Sequence, residues 1–583
     1  MRYCRMILIA SLLILAIVLV AILVRLPLLL IFVALAVIAP KLRNAKTLSA
    51  FGTARWAGSM DAQKAGMFSG IPGLPLGRMQ QPRISVLAAT RALFDRRIPC
   101  DLACEQFVFA LRKLQPPPPP QLVRLAKAVH VAVFAPTGVG KGVSCVIPHL
   151  LTCPDSMVVV DFKGENAKLT AIHRKNVFGH RIVILDPFHV VSDTPDSFNP
   201  FDQIDRNSPL ALDDCRDLAE ALVIRTGEEK EPHWTDSAET WIAAMASVVA
   251  LFGEDKDRTL QTLRTVLTNP LKMQAVIKMM CESDAQAGML SRLGHQLTQF
   301  KDKELASVLT TTSRFLRFLD TLSVAASTSS SSFDPADLRT GKMTVYLILP
   351  PDHMRAQAGL LRMWIAGLLR AVVRGGLQET NKVHFVLDEA ASLGHMGCLE
   401  DAVDKYRGYG IRLQFYYQSL GQLRKCWPEG QDQTLLSNTS QVFFGVNDYQ
   451  TAEYVSARLG ETTIIVESGG TSSSGSVQYS RASSDESHSH SWSKNFNWAQ
   501  HARKLLKPEE VIALPARLAI TFTPGIPPLC TKLLRYYEEG SLLPVDSPWK
   551  HIRKRAEIWA AAGGMLTLSF IAAAGLVHFI ATH

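Results

Sequence analysis

Seven short apolar runs recur between about Val131 and Gly460: HVAVFAP, MVVVD, RIVILDP, MTVYLILP, HFVLDEA, IRLQFYYQ and SQVFFGV. Each is the length of a strand and nearly free of polar residues, the pattern of a strand covered on both faces. Stretches with helical periodicity separate most of them, so the chain is expected to be α/β, with a mostly parallel sheet between two layers of helices. A ligand of such a sheet binds at the carboxyl ends of its strands. From about Asp202 to Ser327 helical patterns alone occur, among them SAETWIAAMASVVALF and KELASVLTTTSRFLRFL. They predict an all-helical domain inserted into the sheet sequence.

The termini follow a different pattern. Met6 to Val24 is almost unbroken aliphatic sequence, and a second apolar run follows Arg25-Leu26-Pro27 as far as Ala39. Arg2 and Arg5 precede the pair, and Lys41, Arg43 and Lys46 follow it. Two membrane spans with both ends cytoplasmic fit this flanking charge, with one long tilted helix as the alternative. A cleaved signal peptide fits poorly, because the apolar region is too long and no small-x-small site follows it. Near the other end, Arg553, Lys554 and Arg555 precede an apolar stretch from about Ile558 to Ile580. This reads as a third span with its basic side inside, the alternative being a buried helix. The chain thus divides into a membrane anchor (1–45), a cytoplasmic segment ending in the stiff spacer Pro116–Pro120 (46–120), an α/β domain in two parts (121–201 and 334–550), the helical insert (202–333) and a C-terminal membrane segment (551–583). Within the second part, the Ser/Gly-rich stretch 469–493 reads as a flexible loop.

The chemistry begins where the first of these runs ends, at VAVFAPTGVGKGVS. A strand that breaks into a glycine turn before a helix presents converging backbone N–H groups to phosphate oxygens. Ala135, Pro136, Thr137, Gly138, Val139, Gly140, Lys141 and Gly142 would form this cradle, with Lys141 reaching the outer phosphates. The stretch departs from the full Walker A pattern twice. Ala135 stands in place of the first glycine, and Gly142 in place of the Ser or Thr that ligates Mg²⁺; Ser144, Thr137 or a water would have to supply that oxygen. Far downstream, KVHFVLDEAASLG ends an apolar strand on Asp388 and Glu389, and reads as a Walker B. Asp388 would hold the Mg²⁺ of bound ATP and Glu389 would polarise the attacking water. Helix capping is the structural alternative for such a pair. Asp161, at the end of SMVVVD, is a second-ranked candidate because Lys163 rather than a catalytic Glu lies beside it. In a RecA-like sheet Gln418, at the end of IRLQFYYQ, could sense the γ-phosphate, and Arg407 of RGYG could reach a neighbouring subunit's nucleotide.

The formal net charge of +10 comes partly from the basic clusters beside the apolar termini and allows a nucleic-acid partner. Nothing resembles a base-reading module, so any DNA contact would be electrostatic and sequence-tolerant. The ten cysteines are spread singly, with no CxxC pair and no His–Cys cluster apparent along the chain, so metal other than nucleotide-bound Mg²⁺ has little support. His488 and His490 fall in the Ser/Gly-rich stretch.

These motifs together resemble the TraG-like type IV coupling proteins of bacterial conjugation and type IV secretion. The resemblance starts at FGTARWAG (Phe51 to Gly58) and continues through APTGVGKGVSCVIPHLL, VVVDFKGEN, SFNPFD, PHWTDSAETWI, VLDEAASLG, RGYGIRLQFYYQS and TAEYVSARLGETT to HARKLLKPEEVIALP. It implies a RecA-like P-loop ATPase with an all-helical insert, anchored in the bacterial inner membrane by several spans, its ATPase domain cytoplasmic, and assembled as a hexamer. Such proteins couple a relaxase-bound single DNA strand, or protein effectors, to type IV secretion channel proteins and ATPases. The family's P-loops often carry Gly after the lysine, as at Gly142. The apparent C-terminal span departs from relatives that end in a cytoplasmic, often acidic, tail. Two function classes follow: a motor that drives or licenses DNA transfer, and a docking receptor whose nucleotide site acts as an assembly switch. Glu389 favours the motor. A chromosome pump of the FtsK type shares the motor logic but fits the local motifs less well.

Overall fold

The structure is a computed structural model that describes residues 50–68, 73–79, 122–225, 231–378, 380–428, 430–479 and 486–539, with positions 90, 91, 93 and 107 between them. Its centre is one sheet in the order β2-β1-β13-β12-β9-β3-β8-β7-β4-β6-β5. The seven apolar runs are β3 (His130–Phe134), β4 (Ser156–Asp161), β5 (Arg181–Leu185), β6 (Met343–Ile348), β7 (Val383–Leu387), β8 (Ile411–Tyr417) and β9 (Thr439–Phe444). Every pairing among them is parallel. Strand alternation sends Ala132 and Phe134 into one core and Val131 and Val133 into another, so both faces of β3 are buried. That is why most positions of these runs are apolar.

Beyond β9 the sheet continues antiparallel through β12 (Leu518–Phe522), β13 (Leu529–Lys532), β1 (Leu74–Met79) and β2 (Leu122–Leu125). The segment expected to precede the ATPase domain therefore contributes a strand to its sheet. Short strands interrupted by Pro75, Gly77 and Arg78 carry almost no periodic signal.

Helices cover both faces. On one side, α1 (Ile147–Thr152) follows the glycine turn and α2 (Glu165–Phe178) follows β4. Gly164 opens α2 at φ 69°, where a Cβ would stand 2.3 Å from Val191 Cγ2, so both backbone angle and packing require glycine. Arg174 of α2 is buried. It donates to the carbonyls of Leu150, Cys153 and Asp155 at 2.7, 2.8 and 2.6 Å and to Thr344 Oγ1 at 2.7 Å. On the other face lie α3 (Ala211–Leu222), α4 (Pro232–Phe252), a run of helices up to Ser327, and α5 (Ala358–Arg374). Arg362 of α5 donates to the carbonyls of Ala221 and Val223 at the end of α3 and to those of Leu393 and His395. One guanidinium thereby ties the helical stretch to the segment that follows Glu389.

The stretch 469–493 is expected as a flexible loop; its described residues, 469–479 and 486–493, instead lie in two paired strands. β10 (Glu461–Tyr479) and β11 (Glu486–Lys504) form an antiparallel ribbon in unbroken register from Glu461↔Lys504 to Tyr479↔Glu486. Low-complexity composition was the wrong guide here, because backbone pairing between two arms needs no apolar face. The expected membrane spans and the proline spacer lie outside the described residues. Among the described residues, no helix is long and apolar enough to cross a membrane.

Candidate nucleotide site

The site forms where β3, β8 and β7 end side by side, β8 being hydrogen-bonded to both neighbours. Lys141 follows β3, Asp388 and Glu389 follow β7, and Gln418 follows β8 between them. The sheet order therefore gathers residues almost 280 positions apart in sequence.

Ala135 does not need to be glycine. Its N–H donates to the Tyr417 carbonyl at 3.0 Å, extending the β3–β8 ladder, and the turn comes afterwards. Gly138 and Gly140 make the turn, at φ 86° and 97°. Pro136 and Val139 are half-buried, and Thr137 and Gly138 are exposed at the tip. The following helix opens with a π-helical turn, Gly142–Val146, with Ser144 buried in it. A Cβ on Gly142 would meet nothing within 4 Å, so glycine is not sterically required there. Gly142→Ser is expected to leave the fold intact and to raise thermal stability slightly, by about 0.5 kcal/mol from helix propensity. A melting curve of the variant checks this; a lowered melting temperature would refute it.

Lys141 Nζ is buried and has no hydrogen-bond partner. Its nearest charged neighbour is Glu389 Oε2 at 3.9 Å. An ammonium in that state, beside an open glycine cradle, fits an anionic ligand. Glu389 occupies the left-handed region, φ 59° and ψ 48°, which costs a non-glycine residue of order 1 kcal/mol. Its side chain caps no helix. Instead Gln418 Nε2 donates to Glu389 Oε1 at 2.6 Å. The capping alternative for Glu389 is thereby removed.

Burial pushes the Asp388 carboxyl up to about 6; Lys141 opposes the shift, and Glu389 and Asp161 add to it. Two carboxylates, Asp388 and Glu389, thus share one ammonium with a third, Asp161, near enough to act on Asp388, a balance that suits an added divalent cation. Asp161 has another task. Its Oδ2 accepts from the Ala167 N–H at 2.9 Å, and the amides of Lys163, Gly164 and Asn166 also act on it, so it holds the start of α2.

Arg407 is not in this group. It lies exposed in the turn Tyr406–Tyr409 before β8, whereas Gln418 follows β8, so roughly 23 Å of strand separates them. A residue that the motifs did not signal does approach the cradle. A Cβ on Gly140 would stand 3.2 Å from Arg535 Nη1, and the Tyr536 N–H donates to the Val143 carbonyl at 3.1 Å. Arg535 sits in LLRYYEEG, which carries no nucleotide-binding pattern, so only folding could bring it there.

A P-loop strand and an acidic strand separated by one strand that Gln418 follows define a nucleotide-binding ATPase fold. The chain belongs to the family described as type IV secretory system conjugative DNA transfer, which matches residues 117–561. It is 29% identical over 409 residues to the conjugal transfer protein TraG of Rhizobium radiobacter, covering 69% of this chain and 61% of that protein. It is 27% identical over 425 residues to the type IV secretion system-coupling protein VirD4 of Bartonella henselae, covering 71% and 64%. The chain therefore spans less than two thirds of either relative's length. Among solved structures it shares its fold with the bacterial conjugative coupling protein TrwB, with a TM-score of 0.53, 18% identity, and 73% and 89% of the two chains covered. The same protein solved in complex with ADP and Mg²⁺ aligns with a TM-score of 0.50 at 18% identity, covering 70% and 85%.

Proposed function

We propose that this chain is a membrane-anchored coupling ATPase that recruits a relaxase-bound single DNA strand to a type IV secretion channel and drives or licenses its transfer by hydrolysing ATP. The observation that carries the reading is the partnerless buried Lys141 ammonium opposite a Glu389 carboxylate held by Gln418. In this reading the N–H groups of the turn around Gly138 and Gly140 bind phosphate oxygens and Lys141 neutralises the outer phosphates. Asp388 holds Mg²⁺, which supplies charge neutralisation to the phosphates when bound. Glu389 orients the attacking water and accepts its proton, and Gln418 fixes the carboxylate that does so. The family's description and the relatives' names support DNA transfer and type IV secretion as the setting; an inner-membrane location, secretion-channel proteins as partners and a hexameric ring belong to the same proposal. In that ring Arg407, exposed and remote from its own nucleotide site, would serve a neighbour.

The test is ATP turnover by the full chain in detergent, with and without single-stranded DNA, over a range of protein concentrations. Turnover stimulated by DNA and rising steeply with assembly is expected. Nucleotide binding without turnover at any concentration would replace the motor with a docking receptor.

A further inference from the structure

At the opposite end of the same strands lies a second cluster of ligand-type side chains. His149 is in α1, Cys153 caps that helix one turn later, Asp155 precedes β4 and His384 is the second residue of β7. His149, Cys153 and His384 are buried, and one ligand atom from each lies within 4.8 Å of the others. Cys153 Sγ is 3.8 Å from His384 Nε2 and 3.7 Å from Asp155 Oδ2, and the last two atoms are 3.1 Å apart. Bonds of about 2.0–2.3 Å to a tetrahedral ion place neighbouring ligand atoms about 3.3–3.7 Å apart. The separations among Cys153, Asp155 and His384 are therefore close to the edges of one coordination tetrahedron, and the ligand atom of His149 lies within 4.8 Å of those of Cys153 and His384.

We propose that His149, Cys153, Asp155 and His384 form a structural site for a divalent transition ion, zinc above all. Two imidazoles, a thiolate and a carboxylate are a zinc donor set, and the two anions neutralise the ion so that the buried assembly carries no net charge. The surroundings are built to hold the ligands. Arg174 fixes the carbonyls of Leu150, Cys153 and Asp155, which sets the turn bearing two of them. His149 Nε2 pairs with Gln414 Nε2 at 2.8 Å, Gln414 is itself bonded by the Tyr416 hydroxyl at 3.1 Å, and His149 Nδ1 is buried without a partner. A cavity of about 270 Å³ whose walls include Asp155, His384, Gln414 and Val131 gives the ion a way in.

The site is separate from the nucleotide's Mg²⁺. His384 and Asp388 lie four residues apart along β7 and beyond it, about 13 Å in extended chain. Bound metal would clamp the end of the helix that follows the glycine turn to the strand that carries Asp388 and Glu389. Without metal the same groups make a buried His384–Asp155 pair beside a thiol, so the two states differ in what they bind.

The experiment is zinc analysis of the full-length chain purified in detergent and desalted, followed by replacement with Co²⁺. One zinc per chain is expected, with a thiolate-to-cobalt charge-transfer band in the cobalt form. Cys153→Ser should lose the band, and His149→Gln should lower metal content several-fold. Chelation should lower the melting temperature of the native chain by several degrees and leave that of Cys153→Ser unchanged. The cobalt spectrum of the native chain needs no variant to fold. A folded native chain with substoichiometric zinc, or with cobalt bound but no thiolate band, would overturn the proposal.

Discussion

Glu389→Gln is expected to abolish ATP hydrolysis while nucleotide binding survives, and Lys141→Ala to lose both. The amide keeps the size of Glu389 and its contact with Gln418 but cannot accept a proton from water. Loss of a general base costs on the order of 10²–10⁴-fold in turnover. Lys141 acts at an earlier step, because its buried ammonium is the positive charge at the end of the cradle. A fluorescent nucleotide titration beside a phosphate-release assay separates the two variants. Glu389→Gln hydrolysing at the native rate would remove the motor reading; Lys141→Ala binding nucleotide normally would remove the cradle itself.

Arg174→Met is the largest expected loss of stability, roughly 3–5 kcal/mol. The side chain is buried, and burial lowers its pKa while carbonyls and a hydroxyl take up its donors. Truncation leaves the carbonyls of Leu150, Cys153 and Asp155 without that donor in a dry interior. Methionine fills much of the volume, so the loss reports on hydrogen bonding rather than on a cavity. Lysine does not restore it, since one ammonium cannot span acceptors that a planar fork reaches together. Calorimetry should show the melting temperature of both variants lower by roughly 3–5 °C. An unchanged melting temperature for Arg174→Met would mean that water replaces the guanidinium at no cost.

The parallel half of the sheet was readable in the chain because burial on both faces demands uninterrupted apolar runs, and each of the seven became a strand. The antiparallel extension was not, since β1 and β2 are short, carry Arg78 and Arg124, and declare themselves only by pairing. The ribbon β10–β11 was obscured by serine and glycine, residues whose composition describes loops but does not forbid backbone pairing.

Local covalent order therefore determined the candidate chemistry by itself: glycines before Lys141 can only be a turn, and Asp388-Glu389 after an apolar strand can only stand at its end. Which of these groups meet was decided by tertiary structure. The insertion of β8 between β3 and β7 puts Gln418 on Glu389, the fold of the chain's last described segment brings Arg535 to Gly140, and the starts of β4 and β7 carry Asp155 and His384 to Cys153. Contacts of this kind join residues separated by up to several hundred positions, and strand order, a property of how whole faces are buried, leaves no trace in any short stretch of sequence.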